Sequence, residues 1–416
     1  MKSEKEKKGM FRQAFELDNA IQTYAWGSRT AIATLLGRPS PSPVPQAELW
    51  MGAHPKAPSK ILVDGAWQPL DRLIEQFPGE VLGPGVAERF GPRLPYLFKV
   101  LAAAEPLSIQ AHPDLKQARE GFARENRAGV PVDAPGRNYR DDNHKPELIC
   151  ALSAFWALNG FRPPDEMAAN LKALSPEGLG KQMALFETAA PAVAIRHMFT
   201  SLMTLDAARR RAVVNEAVTR ARRREAEGEV CRWVAALGRR YPDDIGVLAP
   251  ALLNLVCLAP GEAMFLPAGR LHAYLEGTAI ELMANSDNVL RGGLTAKHVD
   301  VPELLRVLRF EGGRPEVLRA GDGPAVRFDA PAAEFALWVL RLDGGRKWTS
   351  PAGRRVEILL CTEGGGRLTV ASGHVTGFTR GTSLLVPAAA GVYRLDGHGV
   401  LYRAALPDDG NLTRET

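Results

Sequence analysis

Two polar side chains stand two residues apart in the segment SIQAHPD, which follows an apolar run and spans residues 108–114. Alternate side chains of a β-strand leave by the same face, so Gln110 and His112 would point in the same direction. A side-chain amide oxygen and a neutral imidazole that meet at one point can share a metal ion. The pair therefore indicates a candidate metal site where a strand ends.

A second histidine lies in a turn pattern further along the chain. Gly261, Pro267, Gly269 and His272 stand at the spacing G-x5-P-x-G-x2-H, which resembles the second motif of the cupin barrels. The Pro-x-Gly turn would reverse the chain, and the returning strand would present His272 inside a small jelly-roll barrel, where an imidazole can bind a metal. A histidine packed in an ordinary core is the competing interpretation of this motif alone.

Glu147 offers a carboxylate, because it opens an apolar, strand-like run behind a proline in NHKPELICAL. Gln110, His112, Glu147 and His272 together would form a mixed oxygen and nitrogen set with two neutral imidazoles and one anion. Such a set suits zinc and leaves room for water or substrate. For Glu147 taken alone, a surface carboxylate beside Lys145 is the commoner interpretation.

The composition indicates a globular protein of two or three domains. The chain has 416 residues, of which 45% are hydrophobic and 24% charged, and no apolar stretch approaches the roughly 18 residues of a membrane span. The opening MKSEKEKKGM lacks the apolar middle of a signal peptide. We therefore expect a cytoplasmic protein with no membrane partner and a disordered lead over residues 1–14.

Cysteine usage and charge exclude two further classes of protein. Cys150, Cys231, Cys257 and Cys361 lack paired spacing, so we expect reduced core residues rather than disulfides or a cysteine-based zinc site. The net charge of +5 is concentrated in an arginine-rich segment at residues 206–240. Its apolar residues keep helical spacing, and Trp233 is the single aromatic residue among the arginines, whereas base stacking along a strand uses several. We expect a solvated helix face and no nucleic-acid partner.

The elements that must position the candidate ligands are mainly β. Strand-like runs fill residues 15–163, with helices expected near residues 29–36 and 69–77. Helical spacing fills residues 164–248, and strand-like runs return after residue 249 with one helix at 301–308. We predict a catalytic cupin-like domain formed by residues 15–163 and 249–314, a helical insertion at 164–248, and a degenerate C-terminal cupin-like domain at 315–416. The predicted fold is two jelly-roll β-barrels and an α-helical domain.

An internal repeat supports two similar β units. GEAMFLPAGRLHAYLEG, residues 261–277, aligns without gaps with GTSLLVPAAAGVYRLDG, residues 381–397, at an offset of 120. An apolar strand, a proline turn and a returning strand in both copies are what tandem barrels would contain. Because His272 is replaced by Val392 in the second copy, only the first unit is expected to hold a metal.

Five segments in order resemble the signature blocks of the type I mannose-6-phosphate isomerase family and cover most of residues 20–310. They are YAWGSRTAIA, AELWMGAHPKAPS, LPYLFKVLAAAEPLSIQAHPD, NHKPELICALSAFWALNGF and GEAMFLPAGRLHAYLEGTAIELMANSDNVLRGGLTAKHVDVPELL. The resemblance implies a zinc-dependent aldose-ketose isomerase that interconverts mannose 6-phosphate and fructose 6-phosphate through a cis-enediol. It implies one zinc ion per chain, held by Gln110, His112, Glu147 and His272, and a sugar phosphate as the small-molecule partner.

The resemblance also implies roles for residues around the metal. Arg291 would be the active-site arginine, and the remaining pocket residues would be Ser108, Lys99, Lys145, Tyr274, Glu281, Asp287 and Lys297. A base must move the carbon-bound proton, and both Glu281 and Lys145 are candidates. Arg291 could stabilise the enediolate, while Ser108, Lys99 and Lys297 could hold the phosphate.

Two other functions compete with this prediction. Two histidines and a glutamate also resemble the facial triad of an iron-dependent cupin oxygenase, but Gln110 would fill a position that oxygen chemistry needs. A non-catalytic cupin that binds a sugar phosphate would need no base. We expect a monomer that takes part in carbohydrate and mannose metabolism.

Overall fold

The computed structural model describes residues 9–174, 177–345 and 347–407. Most of the predicted lead, residues 1–8, lies outside these ranges. Strands and helices together build two β units with a helical segment inserted into the first. Within the described ranges, no helix combines the length and the apolar character needed to cross a membrane.

The elements before the helical segment are short strands, hairpins and helices. The strands are β1 (Phe15–Glu16), β2 (Ala20–Gln22), β3 (Glu48–Met51), β4 (Lys60–Val63), β5 (Ala66–Pro69), β6 (Tyr96–Ala103), β7 (Ile109–Ala111), β8 (Glu147–Ala151) and β9 (Phe155–Phe161). The helices are α1 (Ala31–Leu35), α2 (Leu70–Gln76), α3 (Pro78–Val81), α4 (Val86–Phe90) and α5 (Leu115–Arg127). The two helices expected near residues 29–36 and 69–77 are thus confirmed.

The helical segment follows β9 and matches the change in sequence pattern. Its helices are α6 (Pro164–Leu174), α7 (Gly180–Met183), α8 (Leu185–Thr188), α9 (Pro191–Met203), α10 (Ala207–Arg223), α11 (Glu229–Arg240) and α12 (Ala249–Leu252), with 3-10 turns at Glu225–Glu227 and Ile245–Leu248. Helix α10 buries valine and alanine side chains along one face and leaves arginines outside. The arginine-rich run is therefore a solvated helix face, as predicted.

The remaining elements are mostly long strands. They are β10 (Leu253–Leu258), β11 (Glu262–Leu266), β12 (His272–Ala284), β13 (Leu290–Gly293), helix α13 (Val301–Val307), β14 (Leu318–Arg319), β15 (Ala325–Phe328), β16 (Ala336–Asp343), β17 (Trp348–Thr349), β18 (Glu357–Val370), β19 (Val375–Thr379), β20 (Ser383–Val386), a 3-10 turn at Ala388–Ala390 and β21 (Tyr393–Ala405). The single helix expected near residues 301–308 is confirmed.

The first β unit is organised by the long strand β12. Its second half pairs with β6 and β8, while its first half pairs with β7 and β9. The main path is β14-β11-β8-β12-β6-β3-β2, and β7, β9, β10 and β13 attach to it through β12. Because one strand serves both groups, residues from distant parts of the sequence meet along it. Among the described residues, strand pairing does not close into a complete ring.

The second β unit follows the order β1-β20-β18-β21-β16-β15. Strand registers support the internal repeat. Leu266 and Val386 are equivalent positions of the two copies, 120 residues apart, and each stands opposite a glutamate: Glu147 in the first unit and Glu357 in the second. Glu357 therefore corresponds to Glu147. The Arg403 guanidinium lies 2.6 Å from the Glu357 carboxylate, so this glutamate forms an ion pair within the second unit.

Short strands cross between the two units. β1, which we assigned to the first domain, pairs with β20 of the second unit, and β14, assigned to the second domain, pairs with β11 of the first. Strand pairing thus connects the two units, and the domain bounds at residues 15, 163, 249 and 314 stay predictions.

The four cysteines are free, but only two of them lie in the core. Cys150 and Cys361 are buried, whereas Cys231 is half-buried and Cys257 is exposed. The expectation of four core residues was wrong because Cys257 lies on β10, whose pairing with β9 leaves this side chain at the surface.

Candidate active site

Strand pairing brings the candidate ligands together. Gln110 on β7 stands opposite His272 on β12 and, on its other side, opposite Arg291 on β13. Immediately after this strand, Asp114 caps helix α5: its carboxylate accepts from the Gln117 backbone N–H, and the Gln117 side chain accepts from the Asp114 N–H. The PD dipeptide of SIQAHPD thus ends the ligand strand and begins a helix.

Three of the four predicted ligands form a compact, buried group. Nε2 of His112 lies 3.2 Å from one carboxylate oxygen of Glu147, and Nε2 of His272 lies 3.4 Å from the other. Potential ligand atoms of these three residues lie within 4.8 Å of one another. The side chains are at most 2% exposed, so the group faces the interior.

The hydrogen bonds of the two imidazoles determine which ring nitrogen is available. Nδ1 of His112 lies 2.7 Å from the Asn288 carbonyl oxygen, and Nδ1 of His272 lies 3.0 Å from the Arg270 carbonyl oxygen. A carbonyl oxygen only accepts, so each Nδ1 carries the proton and each Nε2 keeps a lone pair. Both Nε2 atoms are buried without a hydrogen-bond partner among the described residues. Two orphaned lone pairs and one carboxylate fit a bound zinc ion.

The protonation states suit metal binding. Burial, and next the charge of Lys145, lowers the pKa of His112 to about 4, so the ring is neutral at neutral pH. Burial would raise the pKa of Glu147, but the positive charge of Lys145 outweighs it and holds that pKa well below its usual range. The Lys145 ammonium lies 2.9 Å from this carboxylate.

A cavity of about 500 Å³ opens beside the ligand group. Most of the predicted site residues line it, namely Gln110, Glu147, Ser108, Lys99, Lys145, Tyr274, Glu281, Arg291 and Lys297. Such a volume accommodates a small polar molecule. The sequence therefore predicted many of the residues that line the cavity, although these nine residues come from five separate stretches of the chain.

A buried network of charges forms one wall of the cavity. The Lys99 ammonium lies 2.7 Å from a Glu281 carboxylate oxygen and 3.9 Å from Glu48. Burial would lower the pKa of Lys99, but Glu281 and Glu48 outweigh it and raise that pKa. Burial raises the pKa of Glu281 even though Lys99 opposes the rise. The Tyr274 hydroxyl donates to Glu147 at 3.3 Å and connects this wall to the ligand group.

Two positive charges that line the cavity have no acidic partner among the described residues. Arg291 and Lys297 line it, Arg140 lies near both but outside the lining, and none of the three forms an ion pair with a described residue. Burial lowers the pKa of Arg291, and the nearby charge of Arg140 adds to the effect. The pKa of Lys297 is lowered by burial and by both arginines. Like charges held together without counter-ions are typical of an anion site.

Asp287 stands apart from the other predicted pocket residues. Its carboxylate lies 2.8 Å from the Lys56 ammonium and 3.6 Å from Nε2 of His54, and it does not line the cavity described above. Burial would raise its pKa, but hydrogen bonds from His54 and Lys56 lower it. Asp287 thus serves the loop beside the site rather than the cavity surface.

Several residues of the site were missed by sequence reasoning. Glu48, Tyr24 and Trp26 line the cavity, as do Arg240 and Tyr241 from the end of the helical segment. The first three lie in or beside the quoted blocks YAWGSRTAIA and AELWMGAHPKAPS, which could have signalled them. Nothing in the arginine-rich helix marked its last residue as part of a cavity.

Comparisons with known proteins agree with this geometry. A family model described as phosphomannose isomerase type I, catalytic domain, matches residues 14–164. The mannose-6-phosphate isomerase of Escherichia coli (strain K12) is 41% identical over 395 residues, which cover 93% of this chain and 98% of the relative. The Homo sapiens mannose-6-phosphate isomerase is 36% identical over 367 residues, or 80% of this chain and 83% of the relative.

Solved structures lead to the same assignment. A zinc-bound mannose 6-phosphate isomerase matches with a TM-score of 0.86 at 38% identity, over 95% of this chain and 100% of that one. The fold and the buried ligand group define a cupin-like protein with a metal site. The chain belongs to the type I phosphomannose isomerase family.

Proposed function

We propose that this protein is a zinc-dependent isomerase that interconverts mannose 6-phosphate and fructose 6-phosphate. One observation carries the proposal: family membership over 93% of the chain coincides with a buried His112, Glu147 and His272 group beside a cavity with unpaired cations. A sugar phosphate would use both the metal-ligand group and the cations. Its reacting carbons bear neutral oxygen groups that a metal can bind, and its phosphate is a dianion that cations can bind.

One zinc ion would be held by His112, Glu147 and His272, with Gln110 as the fourth ligand from the facing strand. When bound, zinc supplies Lewis-acid stabilisation for charge on the sugar oxygens. The protein itself contributes the orientation of both imidazoles, because the Asn288 and Arg270 carbonyls hold each Nδ1–H. Burial of the group excludes bulk water from the same region.

We propose Glu281 as the base that moves the proton between C2 and C1. Its carboxylate lines the cavity, and burial raises its pKa, which strengthens it as a proton acceptor. Lys99, 2.7 Å away, would orient the carboxylate and therefore would not bind the phosphate. Lys145, the other candidate, is less suited because its ammonium already forms an ion pair with Glu147.

We assign the unpaired cations to the substrate's negative charges. Arg291 lies on β13, and its backbone pairs with that of Gln110 on β7. This position beside a proposed zinc ligand suits it to stabilise the enediolate. Lys297 and the Ser108 hydroxyl, which both line the cavity, would hold the phosphate, and Arg140 would add positive charge from beside Lys297. Tyr274 would orient Glu147 through its hydroxyl.

Metal removal tests the proposal in a coupled assay of mannose 6-phosphate isomerisation. We expect turnover by the zinc-loaded protein, loss of turnover after treatment with a chelator, and recovery when zinc is added back. Sugar phosphate binding without turnover would contradict the proposal and favour a binding protein. Oxygen consumption that depends on ferrous iron would favour an oxygenase.

We also propose that the protein acts as a monomer. Light scattering across a range of dilutions tests this, and a loss of activity that follows dissociation would contradict it. Location in the cytoplasm stays a prediction.

A further inference from the structure

The end of the helical segment contacts both loops that border the cavity. On one side, the Tyr241 hydroxyl donates to the Pro106 carbonyl at 2.9 Å, and Arg240 forms an ion pair with Glu105. These contacts hold the turn that leads into Ser108. On the other side, Asp244 contacts the loop that follows β13 and leads to Lys297. A segment of five residues therefore touches the two chain stretches proposed to bind phosphate.

Asp244 makes two separate hydrogen bonds with its carboxylate. Oδ1 accepts from the Gly246 N–H at 2.8 Å and so caps the short helical turn after it. Oδ2 accepts from the Thr295 N–H at 3.2 Å, across a sequence distance of 51 residues. The Thr295 hydroxyl in turn accepts from the Lys297 N–H at 3.1 Å. A chain of hydrogen bonds thus runs from the helical segment to Lys297.

The backbone at this contact requires such support. Leu294 has a φ of +53°, a left-handed conformation that is unfavourable for a residue with a Cβ. Gly293, with a φ of +128°, approaches so closely that a Cβ there would lie 3.0 Å from Asp244 Oδ1 and from Gly246 Cα. Leu294 is buried, so its side chain is held as well. The loop takes an unusual path that the helical segment stabilises from outside.

We infer that Asp244 is a positioning residue for phosphate binding: through Thr295 it holds the loop that presents Lys297 to the cavity. This inference rests on the proposed function and adds to it a role for the helical segment. Asp244 does not line the cavity, so it acts through the loop rather than by touching substrate. Its effect should therefore fall on binding of the phosphate and not on proton transfer.

The test replaces Asp244 by asparagine, which is nearly the same size but offers only one accepting oxygen for the two N–H donors. We expect Asp244→Asn to raise the KM for mannose 6-phosphate about tenfold, the change expected for one lost charge-assisted hydrogen bond, while kcat stays within about twofold. The inhibition constant of inorganic phosphate, used as a competitive probe, should rise by a similar factor. Zinc content should equal that of the wild type.

Asp206→Asn is the matched control, because Asp206 also caps a helix of the same segment by accepting from two backbone N–H groups, but touches no loop of the cavity. We expect its KM to be unchanged. An Asp244→Asn protein whose KM and phosphate inhibition match the wild type would overturn the inference, as would a loss of kcat and zinc with unchanged KM. A wild type without isomerase activity would instead contradict the proposed function.

If Asp244→Asn does not fold, a pair of substitutions at Thr295 tests the same chain of hydrogen bonds. Thr295→Val removes the acceptor for the Lys297 N–H but keeps the shape, whereas Thr295→Ser keeps the hydroxyl. We expect the valine variant to raise the KM and the serine variant to restore it to within about twofold of wild type. Equal KM values for the two variants would count against the inference.

Discussion

At the scale of single residues, the metal group depends on which atoms lack a partner. Each imidazole donates its Nδ1–H to a backbone carbonyl, and each Nε2 faces Glu147 without a hydrogen-bond partner among the described residues. Buried nitrogen lone pairs without a donor are unfavourable, and a zinc ion would satisfy both at once. The two Nε2 atoms and the Glu147 carboxylate are thus arranged to hold such an ion.

Removal of one imidazole should abolish stoichiometric zinc binding. We expect His112→Ala to lower zinc affinity by at least about 100-fold, because one of few strong ligands is lost. Metal analysis after dialysis measures this directly. His374→Ala, which changes an exposed histidine of the second β unit, should keep one zinc ion per chain. Full zinc retention by His112→Ala would show that the ion binds elsewhere.

Replacement of the proposed base should act on turnover. We expect Glu281→Gln to lower kcat by about 10²–10⁴-fold with little change in KM, since a positioned base acts only in the transition state. Steady-state kinetics with zinc-loaded protein measure both constants. Glu276→Gln provides the control, because Glu276 is exposed on the same strand. A larger loss of kcat in Lys145→Met than in Glu281→Gln would assign the base to Lys145 instead.

At the scale of elements, strand β12 decides the shape of the site. It carries His272 and Tyr274 in its first half and Glu281 in its second half, and the register shifts between Tyr274 and Glu276. Gly277, with a φ of +122°, begins the pairing with β6. A Cβ at this position would lie 2.5 Å from the Ala154 carbonyl oxygen. Only glycine permits the strand to pass this close to its neighbour while it changes partners.

A methyl group at Gly277 should therefore disturb the whole strand. We expect Gly277→Ala to lower the free energy of unfolding by at least about 2 kcal/mol, because both the φ and the contact are unfavourable. Zinc affinity should fall as well, since His272 lies on the same strand. Denaturant unfolding and metal titration measure the two effects. Gly377→Ala on β19, where a Cβ would meet nothing within 4 Å, should change neither.

At the scale of the whole molecule, the two β units are joined by buried polar contacts. Nε2 of His144, next to Lys145 of the cavity, lies 2.7 Å from a carboxylate oxygen of Glu334 near the start of β16. The Tyr96 hydroxyl donates to the Ala404 carbonyl at 3.2 Å. The second unit has no histidine at the position of His272, but it supports the segment that carries Lys145.

The contact between His144 and Glu334 predicts a dependence of stability on pH. Burial would raise the pKa of Glu334, but the hydrogen bond and charge of His144 outweigh it and lower that pKa. A carboxyl group whose folded pKa is lowered stabilises the protein above its unfolded value, near pH 4.3, and loses this effect as pH falls through the folded value.

The measurement compares Glu334→Gln with the wild type. We expect the variant to be less stable by about 1–3 kcal/mol at pH 6, with a difference that shrinks as the pH falls below about 4.3. Denaturant unfolding at several pH values measures it, and Glu316→Gln, at an exposed position, is the control. A difference that stays constant from pH 6 to pH 3 would contradict the role of the charge.

The sequence by itself indicated the main elements and the candidate ligands. Period-two spacing in SIQAHPD placed Gln110 and His112 on one face, and the Pro-x-Gly turn before His272 marked a returning strand. Spacing and turn patterns are local properties of the chain, so they can be recognised in the sequence without knowledge of the fold. The family resemblance added Glu281, Arg291 and Lys297, all of which line the cavity.

Only the tertiary structure shows which of these residues contact each other. Lys99 was expected at the phosphate but is engaged by Glu281, whose position opposite it depends on the pairing of β6 with β12. Asp287 was expected in the pocket but faces Lys56. Arg240 lines the cavity, and Asp244 contacts the loop beside it, only because the helical segment folds back on two distant loops. These contacts span from 51 to 231 residues of the sequence (287 − 56 = 231 for Asp287 and Lys56), and they are set by strand register and packing, which no local pattern specifies.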